Sequence, residues 1–422
     1  MNLKQAGSGA EVDERLAALL TNANAVRAIT AAVEGTIGPK GLDTMLVDRF
    51  GEVIITNDGV TILDKMDVNH PAAKMLINIA KAQQAEVGDG TTTATIMAGG
   101  LVAEGVSQVL RGVPVARVIE GVKYGVGIAL EQVKSRAREI KDIDDPVLGS
   151  IAMIAGREHR DIAELVVAAA RLIGLEKLNE HNFKLSDIIT AEEGADNEVF
   201  LGVIVDKERM NKDMPQEVDG AKLLLVDDAL EPEEIEDEAL STETGFKRYI
   251  DLQDEFKNNV QKIADLGIKV VLVDRGVHAS AEEILTDAGI VVIQRVSQKD
   301  MRRVAEHTGA RVIKRTGLKK ETIEIEKYLG YAEKVFEDEK LEQIRILGGK
   351  GKPMATILVG AATEEVVGER ERIAKDAASS VQAAIKGGYV PGGGSVEIAL
   401  AREVEKARDN IKGMAAYGVD AV

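Results

Sequence analysis

Apolar positions in the first part of the chain recur at roughly helical spacing. Leu16, Leu19, Leu20, Val26, Ile29 and Val33 predict an amphipathic helix over 12–34, stopped by Gly35. Two short strand-like runs at 44–47 and 53–56 predict a hairpin closed by Asn57-Asp58-Gly59. Helical spacing returns over 71–110, broken by a turn at 88–93, and continues over 115–141. The middle differs. Short aliphatic runs at 223–226, 270–273, 290–293 and 312–313 read as buried strands. Helical stretches at 251–266, 279–287 and 298–307 alternate with them, which predicts a parallel sheet. After Arg345 the chain is expected to return to helix, most strongly over 369–385. A glycine-rich loop at 387–395 and a further helix to about 408 follow, and Val422 falls inside a helical pattern with no evident C-cap.

Composition narrows the class. At 422 residues the chain has room for two to four domains, and 45% hydrophobic with 29% charged residues makes it globular. A formal net charge of −18 argues against general nucleic-acid binding and against anionic membranes, because both need a basic surface. There is no Cys, hence no disulfide framework and no thiolate site. The polar N-terminus lacks an apolar signal core, and no run reaches the ~18 consecutive apolar residues of a membrane helix, so a cytoplasmic protein is the default. Abundant Glu, Lys, Arg, Ile and Val without Cys resembles a thermophile's composition.

The segment Gly88-Asp89-Gly90-Thr91-Thr92-Thr93 carries the chemistry. Glycines let backbone approach a phosphate, and the first N–H groups of a helix favour anions. A carboxylate there fits if a divalent cation sits between it and the phosphate, so Asp89 reads as a Mg²⁺ ligand on a bound nucleotide. Taken alone, a glycine turn with Asp or Thr as an ordinary helix cap explains the motif equally well. The standard P-loop is missing: in Gly351-Lys352-Pro353, Pro replaces the required Ser or Thr. No G-x-G-x-x-G follows any strand run, which leaves the sheet as a binding platform rather than a dinucleotide site. The five His residues show no metal spacing.

Further short motifs keep this one company. They are Gly35-Thr36-Ile37-Gly38-Pro39-Lys40-Gly41, Thr56-Asn57-Asp58-Gly59, His70-Pro71-Ala72-Ala73-Lys74, Lys375-Asp376-Ala377 and Val390-Pro391-Gly392-Gly393-Gly394. In this order and spacing the set resembles the chaperonin family over essentially the whole chain. Asn69-His70-Pro71-Ala72-Ala73-Lys74 and the long acidic insert from Glu231 to Glu238 resemble its thermosome-like group II branch. Arg157, where many thermosome-like chains carry Lys, and the missing Cys point to the bacterial members sometimes called group III.

The resemblance implies a multidomain α + α/β fold. A mainly helical equatorial ATPase domain is expected at 1–136 and 387–422, and a small α/β intermediate hinge domain at 137–194 and 353–386. An α/β apical, substrate-facing domain is expected at 195–352, with a helical protrusion at about 229–258 acting as a built-in lid. It implies ATP and Mg²⁺ as ligands. Thr36, Ile37, Gly38 and Pro39 would face the phosphates, beside Asn57 and Gly88. Asp89 would hold the metal, Gly90, Thr91, Thr92 and Thr93 would cradle the phosphates, and Gly392 and Gly393 would lie near the ribose and base. Asp58 and Asp376 would position the attacking water. Arg157 would sense the terminal phosphate, or else cap a helix end at the surface.

The partners implied are non-native polypeptides and other subunits in a double ring, with no separate lid protein, nucleic acid or membrane. Family members run on for about a hundred residues more, a length taken from the resemblance. That segment would complete the equatorial core, so apolar faces at 16–33 and 91–110 are expected to lack partners. The chain therefore reads as an ATP-driven folding subunit, or, if truncated, as a passive apical-domain binder of unfolded protein without ATPase activity or ring assembly.

Overall fold

The computed structural model describes residues 14–38, 41–47, 51, 53–233 and 242–422. Pro39 and residues 234–241 of the acidic insert lie outside the described residues. The chain divides into two compact units, 1–187 with 373–422 and 188–372.

The first unit is helical with one hairpin. Helix α1 (Glu14–Glu34) leads into strands β1 (Thr44–Val47) and β2 (Val53–Thr56), an antiparallel pair. Helices α2 (Gly59–Lys65), α3 (Pro71–Glu86), α4 (Thr91–Leu110), α5 (Val115–Arg136), α6 (Val147–Ala155) and α7 (Arg160–Ile173) follow. Asn57-Asp58-Gly59 does not close the hairpin as expected. It starts α2, because the Asp58 carboxylate accepts from the Thr61 N–H and supplies the N-cap. The helix expected over 115–141 ends at Arg136. Val26, Ile29 and Val33 of α1 pack with Val60, Ile62, Leu63, Leu76 and Ile77 of α2 and α3, the heptad-like face that the sequence announces.

Two stretches of this bundle, Leu16–Glu34 and Thr91–Leu110, are long and apolar enough to cross a membrane by length and hydropathy, with 22% and 17% of them buried. Leu20, Met97, Val102 and Leu110 stand exposed on them.

The second unit is built on a nine-stranded sheet. Strands β3 (Ile189–Glu193), β4 (Glu198–Val205), β5 (Glu217–Val226), β6 (Val270–Val273), β7 (Val291–Ile293), β8 (Val312–Ile313), β9 (Gly330–Asp338), β10 (Gln343–Gly349) and β11 (Ala355–Ala361) run in the order β3-β11-β4-β10-β9-β5-β6-β7, with β8 also on β5. The expected parallel part is present where β6 and β8 flank β5 and β7 follows β6. The return to helix after Arg345 is deferred: β10 and β11 come first and the helix Glu364–Gly387 only afterwards. Those two strands, β4 and β9 form an antiparallel extension of the sheet.

One face of the sheet packs Val203, Leu223, Leu225, Leu272 and Ile344 against Met301 and Val304 of the helix Gln298–Thr308. The other packs Leu224, Val226, Val271 and Val273 against the helices Glu243–Asp265 and Ala279–Asp287.

His307 ends the helix Gln298–Thr308 and is buried. Its Nε2 accepts from the Gly349 N–H at 3.1 Å, which requires a neutral ring, and burial holds its pKa below the ordinary 6.5. The unfolded chain therefore takes up this proton first. The contribution of His307 to stability is present above about pH 6.5 and is lost as pH falls toward the lower folded value. In thermal melts, the gap between the native chain and His307→Asn should shrink below about pH 6.5. A gap constant from pH 8 to pH 5 would contradict this.

Candidate functional site

Four segments of the first unit meet through close contacts at three glycines and one ion pair. Helix α4 starts at Gly90, whose φ of 74° lies in the left-handed region, and no side chain caps the helix. Its first turn holds no acidic residue, so the N–H groups of this long helix stay available for an anion. Thr91 is buried there, and Asp89 is exposed just before it. Gln83 Nε2 donates to the Asp89 carbonyl at 2.9 Å and pins the turn to α3.

Gly88 packs this turn onto the helix Glu364–Gly387. With φ of 78°, it has no room for a side chain: a Cβ would stand 2.4 Å from Ser379 Cβ and 3.2 Å from the Asp376 carbonyl oxygen. Asp376 is itself 9% exposed. On the other side, a Cβ on Gly59 would stand 2.4 Å from Thr92 Oγ1, so the start of α2 lies directly on the start of α4. Gly156, at the end of α6, closes the third side, with its ideal Cβ 3.6 Å from Ala377 Cβ.

The fourth contact completes a ring. Arg157 Nη2 lies 3.6 Å from Asp58 Oδ1. Asp58 Oδ2 accepts from Thr61 N at 2.9 Å and from Thr61 Oγ1 at 2.6 Å, and the Asp58 N–H donates to Thr56 Oγ1 at 3.1 Å. Arg157 and Glu158 take φ of 52° and 63°, left-handed values that cost about 1–2 kcal/mol per non-glycine residue. Segments carrying Asp58, Asp89, Asp376 and Arg157 thus touch one another in turn around the N-terminus of α4.

The other expected site residues sit outside these contacts. Thr36, Ile37 and Gly38 form a turn closed on itself, with Gly41 N–H donating to the Gly38 carbonyl at 2.9 Å and Leu42 N–H to that of Gly35 at 3.0 Å. Asn57 is exposed beside Asp58. Gly392 and Gly393 lie in an exposed turn before the helix Ser395–Arg408, with open space where side chains would stand. Sequence reasoning missed Gln83, Ser379 and Thr61. Only Thr61 carried a local signal, a hydroxyl three residues after an N-cap aspartate.

The arrangement is suited to a phosphate ester with a divalent cation. Mg²⁺ binds through one or two carboxylates and otherwise through phosphate and water oxygens. One exposed carboxylate, Asp89, beside an uncapped helix N-terminus meets that demand, and among the described residues no cluster of three or more His, Cys, Asp or Glu offers an all-protein cage.

The chain resembles known proteins in sequence and in fold. Residues 29–422 match the model of the TCP-1/cpn60 chaperonin family. A thermosome subunit of Pyrococcus abyssi is 36% identical over 418 residues, covering 95% of this chain and 75% of that protein. A thermosome subunit of Methanocaldococcus jannaschii is 37% identical over 419 residues, covering 95% and 76%. A crystal structure described as a group III chaperonin in the open state superposes with a TM-score of 0.90 at 48% identity, covering 97% of this chain and 83% of that one. A chain with this fold, matched along nearly its whole length, belongs to the TCP-1/cpn60 chaperonin family, on its thermosome-like side.

Proposed function

We propose that this chain is the subunit of an ATP-dependent, ring-forming molecular chaperone that encloses non-native polypeptide. The observation that supports the reading is the closed set of contacts joining the segments that carry Asp58, Asp89 and Asp376 around the start of α4. The N–H groups of Gly90 to Thr93 hold the phosphates, and Asp89 takes Mg²⁺. When bound, the metal neutralises charge on the transferring phosphoryl group. Thr36, Ile37, Gly38, Pro39, Asn57 and Gly88 complete the phosphate side, and Gly392 and Gly393 the ribose side. Asp58 and Asp376 orient the attacking water; phosphoryl transfer asks the protein mainly for such positioning and for charge stabilisation.

Placement of Asp376 on a helix that belongs to the hinge domain makes hydrolysis conditional on hinge closure. The domain reading is equatorial at 1–136 and 387–422, intermediate at 137–194 and 353–386, and apical at 195–352 with the lid at about 229–258. Assembly with further subunits in a double ring, a cytoplasmic location and closure without a separate lid protein belong to the same proposal.

A second reading has one observation in its favour. The unit 188–372 carries two hydrophobic cores of its own, one on each face of the sheet, and so has what it needs to fold without the nucleotide site, as a passive binder would require. Steady ATP turnover separates the two.

Asp376→Ala should keep Mg-nucleotide affinity and lower kcat by about 10²-fold or more in a phosphate-release assay. Equal loss of binding and turnover would contradict the assigned role. Gly88→Ala should destabilise the chain by about 1–3 kcal/mol, since the added methyl meets Ser379 at van der Waals overlap. Gly392→Ala, in open space, should change stability by less than about 0.5 kcal/mol in the same denaturant titration.

A further inference from the structure

We propose that Arg157 is a positioning residue that fixes the orientation of the Asp58 carboxylate, acting through that carboxylate rather than by touching the nucleotide. The proposal rests on the nucleotide-site reading above.

The two oxygens of Asp58 are approached from different elements. Thr61, on Asp58's own helix, donates from N and Oγ1 to Oδ2 at 2.9 and 2.6 Å. Oδ1 faces the guanidinium of Arg157 at 3.6 Å, from the turn after α6. The carboxylate torsion of an aspartate is broad and roughly two-fold, so contacts to a single oxygen leave the plane of the group free to swing. A charge facing the second oxygen fixes that plane, and with it the direction in which Asp58 can hold a water. The side chains are 26% exposed for Arg157 and 10% for Asp58, so the pair is partly shielded from solvent screening.

The backbone is arranged to deliver this charge. Two successive non-glycine residues with φ of 52° and 63° are uncommon, and such strain persists where the surroundings over-determine it. Here the surroundings are identifiable. The closest approach of a Cβ on Gly156 would be 2.6 Å, to the Ala152 carbonyl of α6 itself, and at 3.6 Å it would stand in van der Waals contact with Ala377 Cβ on the helix that carries Asp376. His159 Nδ1 lies 3.1 Å from the carbonyl oxygens of both Gly156 and Arg157. Three carboxylates of like charge come from segments in mutual contact, and the guanidinium supplies opposite charge at one of them. A lysine would bring a point charge without the planar fork.

The test uses the full chain with Arg157→Asn, Arg157→Lys, Asp58→Asn and the Arg157→Asn/Asp58→Asn double variant. Asn tolerates the left-handed backbone, which separates charge from strain. Without nucleotide, the shifts in melting temperature for Arg157→Asn and Asp58→Asn should be non-additive by more than about 1 °C. In the ATPase assay, Arg157→Asn should lower kcat about tenfold or more, leave the Kd for Mg-ADP within about twofold, and have no further effect in the Asp58→Asn background. Arg157→Lys should restore only part of kcat.

Additive melting shifts would overturn the proposal. So would a saturating kcat equal to the native value with weakened binding of a non-hydrolysable ATP analogue, which would place Arg157 on the terminal phosphate. If the native chain showed no turnover while the melting shifts remained coupled, the nucleotide-site reading would fall, and the pair would be structural only.

Discussion

The approach of Gly88 to the helix Glu364–Gly387 is the constraint on which the rest of the site depends. Two segments far apart in sequence come so close there that no side chain fits between them. That contact sets the start of α4 against the helix that carries Asp376. The Gly59 contact then sets the start of α2 against α4, and the Gly156 contact sets the end of α6 against Ala377. At Gly59 the neighbour is the Thr92 side-chain hydroxyl, and at Gly156 the approach to Ala377 is an ordinary van der Waals contact. The Gly88 contact has backbone on both sides, since its Cβ position lies 3.2 Å from the Asp376 carbonyl oxygen.

The two units divide the labour according to their construction. The helical unit contains every contact of the ring and an uncapped helix N-terminus. The sheet unit contains two cores and a mixed nine-stranded sheet, a rigid platform. The boundary between the units falls within the helix Glu364–Gly387, so the residue expected to orient water stands a few positions from the start of the other unit.

Much of this was legible in the sequence, for local reasons. The amphipathic period of α1, the strands of the hairpin and the aliphatic runs of β5 to β8 each depend on short-range patterning, and each formed where the pattern lay. The Gly88 to Thr93 motif was legible because glycine in a left-handed turn before a helix is a local demand.

The antiparallel strands β4, β9, β10 and β11 were not read; charged residues interrupt the apolar alternation of β9 and β10, whereas β11 is an apolar run without charge. Glu337 is buried with Arg209 at 2.6 Å, and Arg345 pairs with Glu198 at 2.7 Å and Asp338 at 2.9 Å. Charges satisfied across a sheet look like solvent-facing positions when each strand is read alone. Helix α2 was hidden for a related reason, since Asp58 reads as a turn residue until its N-cap bonds are seen. Of the site, the identities of Asp58, Asp89 and Asp376 were legible, and the contacts that unite them were not. Gly59, Gly156 and the Arg157–Asp58 pair have meaning only once α2, α4, α6 and the late helix are packed.

The most direct test of the central claim is an experimental structure of this chain with Mg²⁺ and a non-hydrolysable ATP analogue. The account predicts the phosphates on the N–H groups of Gly90 to Thr93, the metal on Asp89, and Asp58 facing the terminal phosphate. Phosphates bound elsewhere, or no nucleotide bound at saturating concentration, would contradict it.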